Sequence, residues 1–403
     1  MNVLVVCSTK KGGAHWMSSV VADCLDALDY DSAIFFSPSS RDQSWIWRVA
    51  ITAEVYILEV ISKALRYAIT KEKYYFFNFG LSSIVATLWL LLHLNRFDTI
   101  VIFWRSYFVG NFALKIMAKL GKKLVFYHTD HAALTGGCHF QSDCANARRG
   151  CVKCPAILRP FRFIPAINQR GNRGIASAVT SISPNERFVC EIDKSGVIFK
   201  DQFIRYFPVS DVYYTRRSRR RPRNRLVFVA STIDDSRKGL QLLVSCLREY
   251  RLHLLHFGLE LCFVGKGSRT NNAIRNLVES YNVECYEYLS PAELAALYAD
   301  AFAIVNVPLQ DMGPSTVFEG LCSGLLVISS DVGIGPELIA KSGAGAVMEK
   351  YDEATLFKSL VAVLEMTDET YFEKLRQIDD FIPLFSNSNF AQALMASFEN
   401  SHA

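Results

Sequence analysis

Short runs of nearly unbroken apolar residues recur along the chain. Val3 to Cys7, Thr99 to Phe103, Leu124 to Tyr127, Leu226 to Ala230 and Phe302 to Val307 are the plainest, and Leu261 to Gly267 is a further run that ends in a glycine turn. Strands covered on both faces by helices read this way, so the pattern predicts buried parallel sheets. Ile34 to Phe36, Ile204 to Pro208, Cys285 to Leu289 and Leu325 to Ser329 are read as further strands. Between them the spacing predicts helices over Trp16 to Leu28, Trp45 to Ala68, Leu81 to Leu94, Asn111 to Leu120, Pro184 to Ile192, Asp352 to Met366 and Glu369 to Phe381. Gly174 to Ser181 passes from helix to strand. Arg159 to Arg173, basic and rich in proline and aromatics, reads as a segment that folds over the cleft. Strand and helix alternate throughout, which predicts an α/β fold of doubly wound parallel sheets.

One stretch organises the rest: Pro308 to Glu337, PLQDMGPSTVFEGLCSGLLVISSDVGIGPE. It follows a buried strand and reads strand–loop–helix–strand–loop–helix. Ser315 is the expected N-cap of the first helix. Upstream, Ser290-Pro291-Ala292-Glu293 carries the signature of a capping box with proline at the first helical position. In doubly wound sheets ligands bind at the carboxyl ends of the strands. The amides of Gly313 to Thr316 and the positive helix end suit a phosphate. Glu319, one turn into the helix, suits a sugar diol.

Length and charge narrow the field. A chain of 403 residues holds two domains, each with its own core. A net charge of +5 makes no global case for nucleic acid. Seven arginines nevertheless crowd Arg216 to Arg225. The sequence opens on a strand and then Lys10 and Lys11, without a signal-peptide pattern, and the expected setting is cytoplasmic and reducing. Tyr74 to Asn95 carries no charge, but its apolar core, Leu81 to Leu94, is too short to span a bilayer and is expected as a buried helix. Trp45, Trp47 and the basic residues Lys63, Arg66, Lys71 and Lys73 suit either a solvated helix face or a contact with anionic lipid headgroups. The arginine run has the same two readings, a solvated linker or a lipid contact.

Most of the eleven cysteines sit singly in apolar surroundings and read as buried thiols. Cys138, Cys144, Cys151 and Cys154 do not. Their pattern, C-x5-C-x6-C-x2-C, has the ligand count of a closed structural zinc site. Two disulfides, four unpaired thiols and an iron–sulfur cluster remain open as readings of the same residues.

The stretch 308–337 resembles the donor-binding signature of glycosyltransferase family 4, whose fold is GT-B. The family reads Glu-x7-Glu, a small-residue helix, then GTPVV and GG-x-PE; this chain has Asp311 and Glu319 at the same spacing, then EGLCSGLLVISSDVGIGPE. The Asp variant resembles the exopolysaccharide and colanic-acid branch. So does TDHAALTGGCHF, followed by Cys144, Gly150-Cys151 and Cys154-Pro155. The branch has His before the Asp; here Thr129 stands there, His128 lies one place earlier and His131 one place after Asp130. Lys238-Gly239 and the Gly265 turn also match the family. Its usual upstream Arg is missing, with Arg237 the nearby stand-in, and of its PNG-(I/V)-D junction only Pro208 and Asp211 survive.

The resemblance implies two Rossmann-like domains facing a cleft. Residues 1–211 would bind acceptor and include the Cys-rich loop 138–155. Residues 212–225 would be a basic linker, 226–380 a nucleotide-sugar domain, and 381–403 a tail crossing back. It implies a retaining hexosyltransferase that needs no catalytic metal or other catalytic cofactor. A UDP- or GDP-sugar would be the donor, and a saccharide or lipid-linked saccharide the acceptor. Lys238, Ser315 and Thr316 would hold the diphosphate, Glu319 the ribose, and Asp311 would stand by the transferred sugar. Asp130 and His128 would line the opposite wall, with Gly12, Gly13 and Gly265 in the glycine loops. A peripheral position on the inner face of the plasma membrane is compatible with this. The altered His, Arg and PNG positions motivate a rival, a non-catalytic sugar-binding or scaffold subunit; a nucleotide-sugar epimerase is a third reading.

Overall fold

The apolar runs become the inner strands of two parallel sheets. The computed structural model describes residues 2–9, 12–28, 32–36, 44–71, 77–140, 144–214, 221–222 and 224–399. The chain divides into two units, Met1–Tyr206 with Phe390–Ala403, and Phe207–Asn389.

The first unit contains β1 (Val3–Cys7), β2 (Ser32–Phe36), β3 (Thr99–Trp104), β4 (Lys123–Tyr127), β5 (Val179–Ser183) and β6 (Asp201–Ile204). Their order is β2-β1-β3-β4-β5-β6, with every pair parallel. All of β1 and β5 is buried, as strands covered on both faces must be. The chain moves to one side of β1, then returns to its other side as β3. That reversal is the switch point at which such sheets open a crevice.

The second unit repeats the plan with β7 (Arg225–Thr232), β8 (Glu260–Lys266), β9 (Asn282–Tyr286), β10 (Ala303–Asn306), β11 (Leu326–Ser329) and β12 (Gly345–Val347). The order is β12-β11-β10-β7-β8-β9, again all parallel. Here the reversal falls between β7 and β10. The capping box forms as expected: Ser290 N–H donates to Glu293 Oε2 at 2.7 Å, and Glu293 N–H donates to Ser290 Oγ at 3.4 Å.

Several expectations move. β6 ends at Ile204 instead of beginning there, because its ladder with β5 runs from Thr180 and Asp201 to Ser183 and Ile204, and Ser183 is the last residue of β5. β9 starts earlier than expected, since Glu260 pairs with Asn282. Most of the basic, proline-containing segment that begins at Arg159 folds as the helix Phe163–Ala176, which turns Pro165, Gln169, Asn172, Ile175 and Ala176 inward. Pro165 lies in its first turn, where a missing N–H is tolerated. Ser315 is the first residue of the helix Ser315–Cys322, and Pro314, which lacks a side-chain acceptor, takes the cap position.

The helix expected to be buried, Ile84–His93, is buried on one side only. Ala86, Trp89 and Leu90 face the core, while Ile84 and Leu92 are 69% and 70% exposed. The carboxylate of Glu54, on the long helix Trp45–Ile69, caps its start, accepting from Ile84 N at 3.0 Å and Val85 N at 2.9 Å. No described helix is long and apolar enough to cross a membrane.

The polar loop 37–43, Lys10, Lys11, Lys73 and arginines 216–220 and 223 lie outside the described residues. The described arginines of the run are engaged within the second unit. Arg221 donates to Leu364 O at 2.9 Å and stacks over Phe302, and Arg225 pairs with Glu260 at 2.9 Å. Near the C-terminus, Ala393 O accepts from Arg205 Nε at 2.8 Å within the first unit.

Candidate active site

In the second unit the loops leaving β7 and β10 meet at the switch point. Asp235 caps the short turn Ser236–Lys238. Gly239 follows with φ 84°, and a Cβ there would stand 1.9 Å from the carbonyl oxygen of Val307. Only glycine lets the two loops come that close. Leu309 N–H then donates to Arg237 O at 2.6 Å, which ties the β10 loop to the β7 loop.

This contact brings together two of the expected residues. Lys238 Nζ lies 2.6 Å from Asp311 Oδ2, and Asp311 Oδ1 accepts from Gly313 N at 3.2 Å. Arg237, the stand-in for the missing arginine, is turned onto Asp235 at 2.6 Å. The loop cation beside Asp311 is therefore Lys238. Gly265 has φ 148°, and a Cβ on it would meet the carbonyl oxygen of Ala230 at 1.9 Å, so its conformation lets the ends of β7 and β8 close together.

Ser315 and Thr316 occupy the first turn of the next helix, where backbone N–H groups have no intrahelical acceptor. Glu319, one turn on, is buried. Burial pushes its carboxyl up to about 7, and the Ser315 hydroxyl partly offsets this by hydrogen bonding. The charge of Glu319 in turn helps hold the hydroxyls of Tyr213 and Tyr298 protonated. Tyr298 Oη, buried, has no protein partner among the described residues. The same holds for Asn306 Nδ2, at the end of β10.

In the first unit a cavity of about 290 Å³ opens at the carboxyl ends of β3 and β4. Asp130 anchors its wall. One carboxylate oxygen accepts from Ala132 N at 2.7 Å, and the other is 2.6 Å from His139 Nδ1. The His139 ring lies flat on Trp104, centroids 4.3 Å apart and planes 9° apart. Arg105 supplies a half-buried cation: it donates to Asn111 Oδ1 at 2.7 Å and Asn172 Oδ1 at 2.8 Å, over the face of Phe126. Burial lowers its guanidinium to about 10, and Asp130 acts in the opposite direction.

His128 takes a different place from the one expected. It reaches the cavity edge, but its Nε2 is bonded to Ser181 Oγ at 2.9 Å and its ring packs among Phe126, Phe188 and Phe199. Burial pulls it down to about 3, so it is a neutral core residue. The imidazole that joins Asp130 is His139. His131 turns away to Glu191, at 2.5 Å. Gly12 precedes the helix Gly13–Asp26, with open space where a Cβ would lie, and neither glycine lines the cavity.

Sequence reasoning passed over Arg105, Trp104, Asn172 and His139 as site residues. The first two had a signal, since they sit at the carboxyl end of a predicted strand. His139 had one in the TGGCHF stretch that carries the family resemblance, but nothing in the spacing says that the chain turns back after Gly137 to set it against Asp130. None of the four loop cysteines is in a disulfide, and among the described residues no three His, Cys, Asp or Glu side chains stand ready as a metal-holding group.

Residues 223–366, which hold the whole Lys238–Asp311–Glu319 arrangement, match the family model for glycosyl transferases group 1. This segment is similar to the group 1 glycosyl transferases. No curated protein matches the chain. Solved structures do. Trehalose-6-phosphate from E. coli, bound with UDP-2-fluoro glucose, superposes with a TM-score of 0.63 at 11% identity, covering 100% of this chain and 99% of that one. HepE from Anabaena, in complex with UDP-glucose, gives 0.60 at 11% identity over 99% and 100%. Sucrose-phosphate synthase from Thermosynechococcus elongatus gives 0.61 at 11% identity over 99% and 98%. At these identities the likeness shows the fold, which is GT-B.

Proposed function

We propose that the chain is a retaining glycosyltransferase, moving a hexose from a UDP- or GDP-sugar onto a saccharide or lipid-linked saccharide in exopolysaccharide synthesis. The observation that carries this reading is the Lys238–Asp311 contact at the β7/β10 switch point, inside the group 1 segment. The solved neighbours bound with UDP-glucose and UDP-2-fluoro glucose support a nucleotide-sugar donor.

In this reading the second unit holds the donor. Lys238 and the amides at Ser315 and Thr316 meet the diphosphate, whose charge grows as the bond to the sugar breaks. Glu319 accepts hydroxyls of the ribose. Asp311, already beside Lys238, stands by the transferred sugar. The anomeric carbon–phosphate oxygen bond breaks and a bond to the acceptor oxygen forms on the same face. The acceptor's proton ends on the leaving diphosphate, so no covalent nucleophile and no metal are required. In the first unit, Arg105, Asp130, His139 and Asn172 offer charge and directed hydrogen bonds to an acceptor.

The helix Trp45–Ile69 supports a membrane-surface location. Trp45 and Tyr67 are 68% and 78% exposed, with Ile57 and Val60 also open between them and Arg48, Lys63 and Arg66 on the same helix. An amphipathic face of this kind suits the lipid–water interface, where a lipid-linked acceptor resides.

The test is turnover. The purified protein, given UDP- and GDP-sugars without acceptor, should slowly release free sugar, and Glu319→Ala should abolish the release. A nucleotide sugar converted to its epimer would identify an epimerase. Tight binding with no turnover, with or without oligosaccharide acceptors, would identify a sugar-binding scaffold.

A further inference from the structure

We propose that Arg105 makes the first-unit cavity a subsite for an acidic acceptor sugar, one whose carboxylate or phosphate pairs with the guanidinium. That the sugar is an acceptor rests on the transferase reading; that it is acidic rests on the first unit alone.

The guanidinium is held in place without being neutralised. Asn172 sets the arrangement. Its Nδ2 donates to Ala132 O and Thr135 O, both at 2.9 Å, so its Oδ1 faces the other way. There it accepts from Arg105 Nη2 at 2.8 Å and from Asn111 Nδ2 at 2.9 Å. The second bond fixes the Asn111 amide in turn and presents its Oδ1 to Arg105 Nη1 at 2.7 Å. Asn111 can sit there because residue 171 is glycine: a Cβ at Gly171 would stand 2.6 Å from Asn111 Nδ2. The guanidinium carbon lies 5.4 Å from the centroid of the Phe126 ring.

Every partner of Arg105 is therefore neutral. Two amide oxygens take two of its N–H groups, and among the described residues no carboxylate pairs with it. A cation partly withdrawn from water without a counter-ion is costly, and a bound anion offsets that cost. The planar fork matches a carboxylate or a phosphate, which it meets with two parallel hydrogen bonds. Asp130 is the one carboxylate among the described residues that line the cavity. Its two oxygens are taken by Ala132 N–H and His139 Nδ1, so it leaves Arg105 without a salt bridge.

The helix Asn111–Lys119 adds to the same field. Gly110, Asn111 and Phe112 line the cavity, the cap position is a glycine without a side-chain acceptor, and the first turn holds no acidic residue. Its orphan amides favour negative charge. The start of the neighbouring helix Ile84–His93 is already occupied by Glu54. At about 290 Å³ the cavity is at the small end of ligand pockets, which suits one sugar residue.

The experiment is calorimetry of the full-length protein, saturated with UDP, using methyl glucuronide, glucose 6-phosphate and methyl glucoside at low and high salt. Hydrolysis of UDP- and GDP-sugars is measured on the same preparation without UDP. At least one acid should bind wild type tenfold or more tightly than methyl glucoside, and high salt should weaken it. Binding of the glucuronide alone would assign a uronate, and of the phosphate alone a sugar phosphate. Arg105→Gln should bring the acids within threefold of methyl glucoside, while exposed Lys115→Gln keeps the wild-type preference. If Arg105→Gln fails to fold, Asn111→Asp decides: it gives Arg105 a built-in counter-ion in a first helical turn that favours Asp, and should abolish the preference. Acids and glucoside bound equally by wild type, no binding by any of the three, or a preference that survives both variants would overturn the proposal. Acid preference without any sugar-nucleotide hydrolysis would keep the anion site and remove the transferase reading; hydrolysis without acid preference would do the reverse.

Discussion

Lys238 and Asp311 lie 73 positions apart in sequence, yet their side chains meet at 2.6 Å. The approach depends on Gly239 against Val307. A cation and a carboxylate so placed can divide the work on a nucleotide sugar, one on the diphosphate and one on the sugar. Asp311→Asn should then leave UDP affinity within about threefold of wild type and lower kcat by about 100-fold, the signature of a group that acts in the transition state. Steady-state kinetics with UDP competition separates the two effects.

Glu319 makes the protein sensitive to pH. Its carboxyl titrates at about 7 in the folded chain against an ordinary 4.5. Between those values the native state keeps a proton that the unfolded chain has released, so stability falls as pH rises from about 4.5 to about 7. The full cost is about 3 kcal/mol, taking about 1.4 kcal/mol per pH unit. Denaturant titrations should show this slope in wild type and a flatter one in Glu319→Gln.

Donor binding should respond in the opposite sense. The ionised carboxylate is the better acceptor for ribose hydroxyls, and UDP-glucose carries no phosphate proton near neutrality. Its affinity should rise several-fold between pH 6 and pH 8, and Glu319→Gln should remove that rise. Calorimetry across the range measures it.

The two imidazoles near the first-unit cavity have separable roles. His139→Ala should lower transfer to acceptor by at least tenfold and leave donor hydrolysis nearly unchanged, because His139 faces the cavity. His128→Ala should destabilise the fold by about 2 kcal/mol through the void left among Phe126, Phe188 and Phe199. Thermal melts and acceptor-dependent rates distinguish the pair.

Flotation with vesicles tests the exposed helix. The protein should float with vesicles containing anionic lipid, less so at high salt, and Ile57→Asp with Val60→Asp should abolish flotation. Unchanged flotation in that double variant would remove the helix from the account.

The sequence carried the alternation of strands and helices, because a strand covered on both faces must be apolar throughout, as β1 and β5 are. It carried the positions of Lys238, Asp311 and Glu319 too, through the resemblance to glycosyltransferase family 4. Tertiary relationships were less legible. His128 and His139 both neighbour Asp130 in the folded chain, but only the fold shows that one ring turns into the core and the other toward the cavity. Pro165 concealed a helix whose inward face mixes the polar Gln169 and Asn172 with Ile175 and Ala176. Ser315 lost its capping role to a proline that offers no side-chain acceptor.

The most direct measurement is isothermal calorimetry with UDP-glucose, GDP-mannose, UDP and GDP on wild type and Lys238→Ala. The account predicts that one nucleotide class binds wild type, and that the loss of a charged contact worth about 1.5–3 kcal/mol weakens it 10- to 100-fold in the variant. At a hundredfold excess over its dissociation constant the same ligand should stabilise wild type by about 2.7 kcal/mol. No binding by any of the four, or equal binding by wild type and Lys238→Ala, would contradict a donor site at the β7/β10 switch point.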